Sequence, residues 1–194
     1  MLPQMVVVGA SLGGMRALAV LLGGIPGDFV VPLTIVQHRA ADAAGGLGRF
    51  LQGYSRLPLC EIEDKQPILP ARVYLAPADY HVLIEEDTFA LSTEAPILYA
   101  RPSIDVLFEA AADRYAARVV GVILTGASAD GAQGLARLKQ RGGLALVQSP
   151  ETAECRVMPD AAIDATPVDW VLPLAEIAPR LVSLCRQKSG VRSQ

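Results

Sequence analysis

Cysteine is scarce in this 194-residue sequence, where Cys60, Cys155 and Cys185 are odd in number and widely spaced. That excludes the disulfide framework of a small secreted domain and a zinc site built on paired cysteines, and it fits a reducing cytoplasm. Basic residues are not in surplus either: 17 Lys and Arg stand against 20 Asp and Glu, a formal charge of -3. A phosphate backbone would find no counterion-releasing surface, so nucleic acid is not an expected partner. Long apolar runs are missing as well. The apolar start Met5 to Val8 ends at Gly9 and has no basic leader. It is too short for a signal peptide or a membrane span, so no membrane insertion is expected and the segment reads as a buried first strand. Histidine is limited to His38 and His81, which narrows any imidazole chemistry to two positions.

Apolar residues are abundant. A composition 52% hydrophobic and 19% charged is that of one compact domain with an ample core. The expected organisation is a single domain over residues 1–187 followed by a flexible tail at 188–194, without internal repeats or low-complexity linkers.

Continuous β-branched runs at Val6 to Val8, Leu33 to Val36 and Val119 to Leu124 have the pattern of strands covered on both faces of a parallel sheet. Leu144 to Val147 and Val168 to Val171 are weaker versions of it. Helical spacing appears between them, in Met15, Leu18, Ala19 and Leu22, and again in Ile104, Leu107, Phe108 and Ala111 after a Pro102-Ser103 start signal. A last helix through Leu174, Ile177, Ala178 and Leu181 contains Pro179, which should bend or shorten it. The middle differs: Leu59 to Ile62, Arg72 to Leu75, Tyr80 to Ile84 and Phe89 to Ser92 are short strands without helices between them. The expected fold class is α/β, doubly wound, with a mainly parallel central sheet flanked by helices and an antiparallel β-hairpin excursion in the middle. The Ala- and Gly-rich segment Ala40 to Gly48 should be a flexible loop leading into a short helix at Leu47 to Gln52.

Gly9-Ala10-Ser11-Leu12-Gly13-Gly14 joins the first strand to the first helix and matches G-x-S-x-G, in which glycines permit a tight turn that lifts a serine above the sheet edge. Taken alone, the turn could equally cap a helix or be a dinucleotide fingerprint. The dinucleotide reading wants an acid at the end of the second strand, but that strand ends in Gln37-His38. An imidazole there stands on the same carboxyl-terminal edge as Ser11 and could deprotonate its hydroxyl; His81, in the β excursion, fits less well. The stretch Leu124 to Ala132 carries Asp130 to that edge too. Spacing leaves Asp130 open between completing a Ser-His-Asp set and capping the helix that begins near Gly131. Asp105 is the competing acid, although its place in the first turn of a helix suits a dipole role. The chain order Ser, His, Asp is not that of the α/β-hydrolases.

Together with Tyr74-Leu75-Ala76-Pro77-Ala78-Asp79, Arg101 to Phe108 and Met158-Pro159, these motifs resemble the catalytic domain of the chemotaxis protein-glutamate methylesterases, in the family's order and over nearly the whole chain. The resemblance implies Ser11 as nucleophile, His38 as general base and then acid, and Asp130 as the carboxylate that orients His38. It also implies hydrolysis of glutamyl methyl esters on a methylated chemoreceptor or similar signalling protein, deamidation of glutamines as a second activity, and no metal or organic cofactor. Leu12, Ala127, Arg101 and Met158 are the candidates for the oxyanion site or substrate pocket, with backbone amides near Leu12 and in the Gly126 to Ser128 loop as oxyanion donors.

Two positions depart from the pattern. The family often has a hydroxyl residue where this chain has Leu12, and a methionine where it has Ala127, so the pocket should be more apolar at the first and roomier at the second. Relatives in chemotaxis usually carry an amino-terminal receiver domain, whereas the first strand here begins almost at Met1. A standalone enzyme or an excised domain is expected, with a separate receiver protein as a possible regulator. The alternative function is a non-catalytic signalling module of the same fold that binds a receptor or partner protein.

Overall fold

The computed structural model describes residues 2–39 and 46–186. The expected tail at 188–194 and most of the expected loop from Ala40 lie outside those residues. Seven strands form one sheet: β1 (Met5–Ala10), β2 (Leu33–Gln37), β3 (Leu59–Glu61), β4 (Val73–Leu75), β7 (Val119–Ile123), β8 (Leu144–Gln148) and β9 (Trp170–Leu172). Their order is β3-β4-β2-β1-β7-β8-β9 and every pairing is parallel. Strands β5 (His81–Glu85) and β6 (Thr88–Ser92) make a separate antiparallel hairpin.

Helices cover both faces, because each central strand is apolar on both sides. In β1, Val6, Val8 and Ala10 face one core, and Met5 and Val7 face the other. The first core is closed by α1 (Gly14–Gly24), α2 (Leu47–Gln52) and α6 (Leu174–Cys185); the second by α3 (Ile104–Tyr115), α4 (Ala132–Gln140), α5 (Val157–Ala165) and the hairpin. This alternation along a fully buried strand is why its sequence shows no polar-apolar period. The doubly wound α/β expectation therefore holds.

The middle of the chain corrects one expectation. Leu59 to Ile62 and Arg72 to Leu75 do not join an antiparallel excursion; β3 and β4 extend the main parallel sheet beside β2. A parallel crossover normally announces itself by a helix, and the segment 62–72 between these strands contains none. Only β5 and β6 form the hairpin. A second expectation also changes: α6 continues through Pro179 to Cys185. Ile177, Ala178, Leu181 and Cys185 are buried on that helix, and this packed face outweighs the single backbone bond that proline removes.

Candidate active site

Strand register brings the first two candidates together. Ala10 pairs with Gln37 across β1 and β2, so Ser11 and His38 leave the sheet side by side, and the His38 N–H donates to Ala10 O at 3.0 Å. On the other flank Gly9 pairs with Ile123, and the loop after β7 carries Asp130 to the start of α4. Carboxyl-terminal strand ends of adjacent parallel strands are where α/β sheets place ligands.

The turn after β1 is shaped by its glycines. Gly13 has φ 80°, a left-handed conformation that a side chain would strain. At Gly14 a Cβ would lie 1.9 Å from Gln37 Oε1, so this position must be bare for Gln37 to pass. Gln37 uses that passage to donate from Nε2 to Ser11 O at 2.8 Å and to His38 O at 3.0 Å. Both partners are acceptors, so the amide nitrogen must face them. One buried side chain thus ties the two loops at their backbones. The Ser11 N–H also donates to Thr125 O at 3.0 Å, which links the turn to the third loop.

His38 Nε2 donates to Asp130 Oδ2 at 2.7 Å. Asp130 is wholly buried. Its Oδ2 also accepts from the Ile104 N–H at 2.6 Å, and its Oδ1 from Ser103 Oγ at 2.7 Å and the Asp105 N–H at 3.1 Å. Burial by itself would raise its pKa, but the hydrogen bonds from His38, Ile104, Ser103 and Asp105 outweigh it and hold Asp130 below the usual carboxylate range. Asp130 is accordingly an anion at neutral pH, suited to orient an imidazole. Spacing had left open whether it caps a helix. It does, but the helix is α3, whose first amides it accepts, and not α4.

Ser11 and His38 line a common cavity of about 480 Å³ with Leu12, Met15, Arg16 and Glu154. Their side chains face it without a direct hydrogen bond between them. His38 also lines an adjoining cavity of about 510 Å³ with Arg39, Asp79, Tyr99, Arg101 and Ser128. Of the pocket candidates, Leu12 is 55% exposed at the mouth of the first cavity. Arg101 lines the second, pinned by Asp79 at 2.6 Å and by the carbonyls of Thr93 and Glu94. Ala127 is exposed on the third loop, beside Ser128. Met158 is buried: its N–H donates to Gly126 O at 2.9 Å, and its thioether packs on Gly126 from behind. It supports the loop and lines neither cavity.

Residues that sequence reasoning had not assigned to the site are Ser103, which had been read only as a helix start, and Gln37, quoted only beside His38. A hydroxyl ahead of a helix gives no sign that it also donates across to Asp130. His81, the other histidine, is buried; its Nδ1 accepts from the Ser103 N–H at 3.1 Å and its Nε2 meets Ala95 O, so it props the start of α3. Among the described residues no three His, Cys, Asp or Glu side chains are grouped as metal ligands would be, and no helix is long and apolar enough to cross a membrane.

Comparison with known proteins gives the family and the fold. The model of the CheB methylesterase family matches residues 6–181. A Leptospira interrogans protein, provisionally assigned as a protein-glutamate methylesterase/protein-glutamine glutaminase, is 46% identical over 182 residues, covering 93% of this chain and 94% of its own. An Anaeromyxobacter dehalogenans protein-glutamate methylesterase/protein-glutamine glutaminase is 42% identical over 94% of this chain and 54% of its own length, so the chain spans about half of that relative. The crystal structure of the Thermotoga maritima CheB methylesterase catalytic domain superposes with a TM-score of 0.91 at 32% identity, over 95% of this chain and 100% of that one. With the family model spanning most of the sequence and the fold matched throughout, this chain belongs to the CheB methylesterase family.

Proposed function

We propose that this protein is a serine hydrolase that cleaves glutamyl methyl esters on a methylated chemoreceptor or related signalling protein. Ser11 is the nucleophile, His38 the general base and then acid, and Asp130 the orienting carboxylate. The observation that carries the reading is the buried Asp130 carboxylate bonded at 2.7 Å to the ring of His38, which shares a cavity with Ser11. Asp130 accepts the Nε2 proton, so the tautomer it selects leaves Nδ1 as the proton acceptor for Ser11.

Ser11 Oγ attacks the ester carbonyl as its proton passes to His38. Methanol leaves with that proton, and water, activated in the same way, releases the glutamate and restores Ser11. Oxyanion donors are worth about 2.7 to 4 kcal/mol each in serine hydrolases. The Gly126 N–H is already given to Cys155 O, so the backbone amides of Leu12 and Ala127 are the donors assigned here. A backbone donor survives the loss of a hydroxyl side chain at Leu12 and of methionine at Ala127. Arg101, held rigid at the rim of the second cavity, contacts the substrate polypeptide. Hydrolysis of a glutamine amide follows the same steps with ammonia as leaving group, in keeping with the names of the relatives. The enzyme acts in the cytoplasm, where its three free thiols persist, and a separate receiver protein is its candidate regulator.

The test is methanol release from a methylated receptor signalling domain by the intact protein and by Ser11→Ala. Release by the first alone supports the reading; equal release by both removes Ser11 from the chemistry, and release by neither removes this substrate.

A further inference from the structure

Asp105 is a buried carboxylate beside the site that the proposed chemistry leaves without a task. It lies in the first turn of α3 and is 6% exposed. Its Oδ1 accepts from the Gly131 N–H at 2.9 Å and the Gly134 N–H at 2.6 Å, at the start of α4. In the opposite direction, the N–H groups of Ile104 and Asp105 at the start of α3 donate to Asp130, which precedes Gly131, the N-cap of α4. Asp130 therefore caps α3, to which Asp105 belongs, and Asp105 caps α4, which follows Asp130. This exchange works only where α3 and α4 nearly touch. At Gly134 an added Cβ would stand 2.9 Å from Asp105 Cα and from its carbonyl oxygen, so only a bare position allows the approach.

The two halves of the exchange depend on each other. Asp130 reaches His38 with one face of its carboxylate while the amides of α3 hold it from behind. Within the turn itself the Asp130 N–H donates to Ser128 Oγ at 3.1 Å and the Ala132 N–H to Ala129 O at 3.2 Å, whereas the Gly131 and Gly134 amides have Asp105 as their acceptor, and these two bonds tie the turn to α3. We propose that Asp105 is a positioning residue for the His38–Asp130 pair: by accepting the Gly131 and Gly134 amides it fixes the turn that presents Asp130 to His38. Its kinetic consequence rests on the esterase reading; its structural consequence does not.

Charge adds a second consequence. Burial, and then the neighbouring Asp130 anion, push the Asp105 carboxyl up to about 6 against the opposing amides of Gly134 and Gly131. The titratable groups around it are Asp130 on the α4 side, Glu109 one turn along α3, His38 beyond Asp130 at the end of β2, and His81 on β5 beneath Ser103. When ionised, Asp105 places a second negative charge behind the pair, and its removal in Asp105→Asn should move the acid limb of the rate profile to lower pH.

Asp105→Ala removes the acceptor, whereas Asp105→Asn keeps a carbonyl oxygen for the same two amides and removes the charge. The first readout is the low-field proton NMR signal of the His38 Nε2–H···Asp130 bond, identified by its loss in His38→Ala. The second is the pH profile of ester hydrolysis. The signal should persist in the wild type and Asp105→Asn and vanish in Asp105→Ala. In Asp105→Ala kcat should fall about tenfold or more with KM unchanged, and Asp105→Asn should recover it to within about threefold. The acid limb of Asp105→Asn should lie at lower pH than that of the wild type. An Asp105→Ala protein that keeps both the signal and kcat overturns the proposal. If Asp105→Ala does not fold, Asp105→Asn decides: a folded Asp105→Asn protein that loses the signal, or that keeps it with an unmoved acid limb, overturns the proposal. A wild type that hydrolyses no ester sinks the esterase reading alone, because the NMR signal still tests Asp105.

Discussion

The Asp130 side and the Ser11 side of the candidate site are built differently. Asp130 is fully buried and accepts four hydrogen bonds, from His38, Ser103, Ile104 and Asp105. Ser11 is held by its backbone: its N–H goes to Thr125 O, and its carbonyl accepts from Gly14 and Gln37. Its neighbour Leu12 is exposed at the mouth of the cavity. Buried, fully satisfied charge is expensive to disturb, whereas a hydroxyl at an open mouth is not. The electrostatic half of the site is preorganised in the protein interior, and the half that must receive a macromolecular substrate is left accessible.

The largest test of that contrast separates activity from stability. Asp130→Ala should lose about three orders of magnitude or more in turnover and about 3 kcal/mol of stability in denaturant unfolding, because it strands the donors of two helix-start amides and Ser103. Ser11→Ala should lose turnover to a similar degree with stability changed by no more than about 0.5 kcal/mol. Equal stability losses would erase the distinction.

Ser103→Ala probes the same buried side more gently. It removes the 2.7 Å bond to Asp130 and the N-cap bond to Val106 N, and should cost about 1 to 2 kcal/mol in thermal or chemical unfolding. Turnover should drop about tenfold with little change in KM. A stability loss with unaltered turnover would show that Asp130 does not need Ser103 to face His38.

pH dependence sharpens the difference between the two buried carboxylates. Asp130 lies below the usual carboxylate range, so its stabilising contribution is present at neutral pH and is lost as pH falls through its folded-state value. Asp105 is pushed up to about 6, so its contribution has the opposite sign: stability declines as pH rises from the unfolded value near 4 to about 6 and is flat above that. Asp105→Asn should therefore gain stability relative to the wild type, on the order of 1 kcal/mol at pH 7, and the gain should shrink toward pH 4. Paired melts across that range check the sign.

The smallest effect is expected at the open side. Leu12→Thr should leave stability within about 0.5 kcal/mol and change kcat/KM by only a few-fold, mostly through KM, because Leu12 lines the cavity with its side chain and its backbone amide is retained. A hundredfold change in kcat would move Leu12 from the rim into the chemistry.

How much could be read in the chain follows the range of the forces involved. The strands β1, β2 and β7 and the turn at Ser11 were visible because burial on both faces imposes unbroken apolar runs, and the glycines of the turn are dictated locally. The parallel placement of β3 and β4 was not, since the segment between them has no helical period to mark a crossover. Nor was the run of α6 past Pro179 to Cys185, because local propensity counts the lost bond and cannot weigh the packed face of Ile177 and Leu181.

By itself the sequence determined the α/β class, the two apolar faces, and the presence of a serine, a histidine and an aspartate on loops of one sheet edge, together with a motif set that resembles one family. Tertiary structure alone decided that Ala10 aligns with Gln37, that Asp130 caps α3 while Asp105 caps α4, and that Gln37 ties the Ser11 and His38 backbones. These are hydrogen bonds between residues far apart in the chain, set by register and by the close approach of two helices, and no local pattern of side chains encodes which distant amide a buried carboxylate will meet.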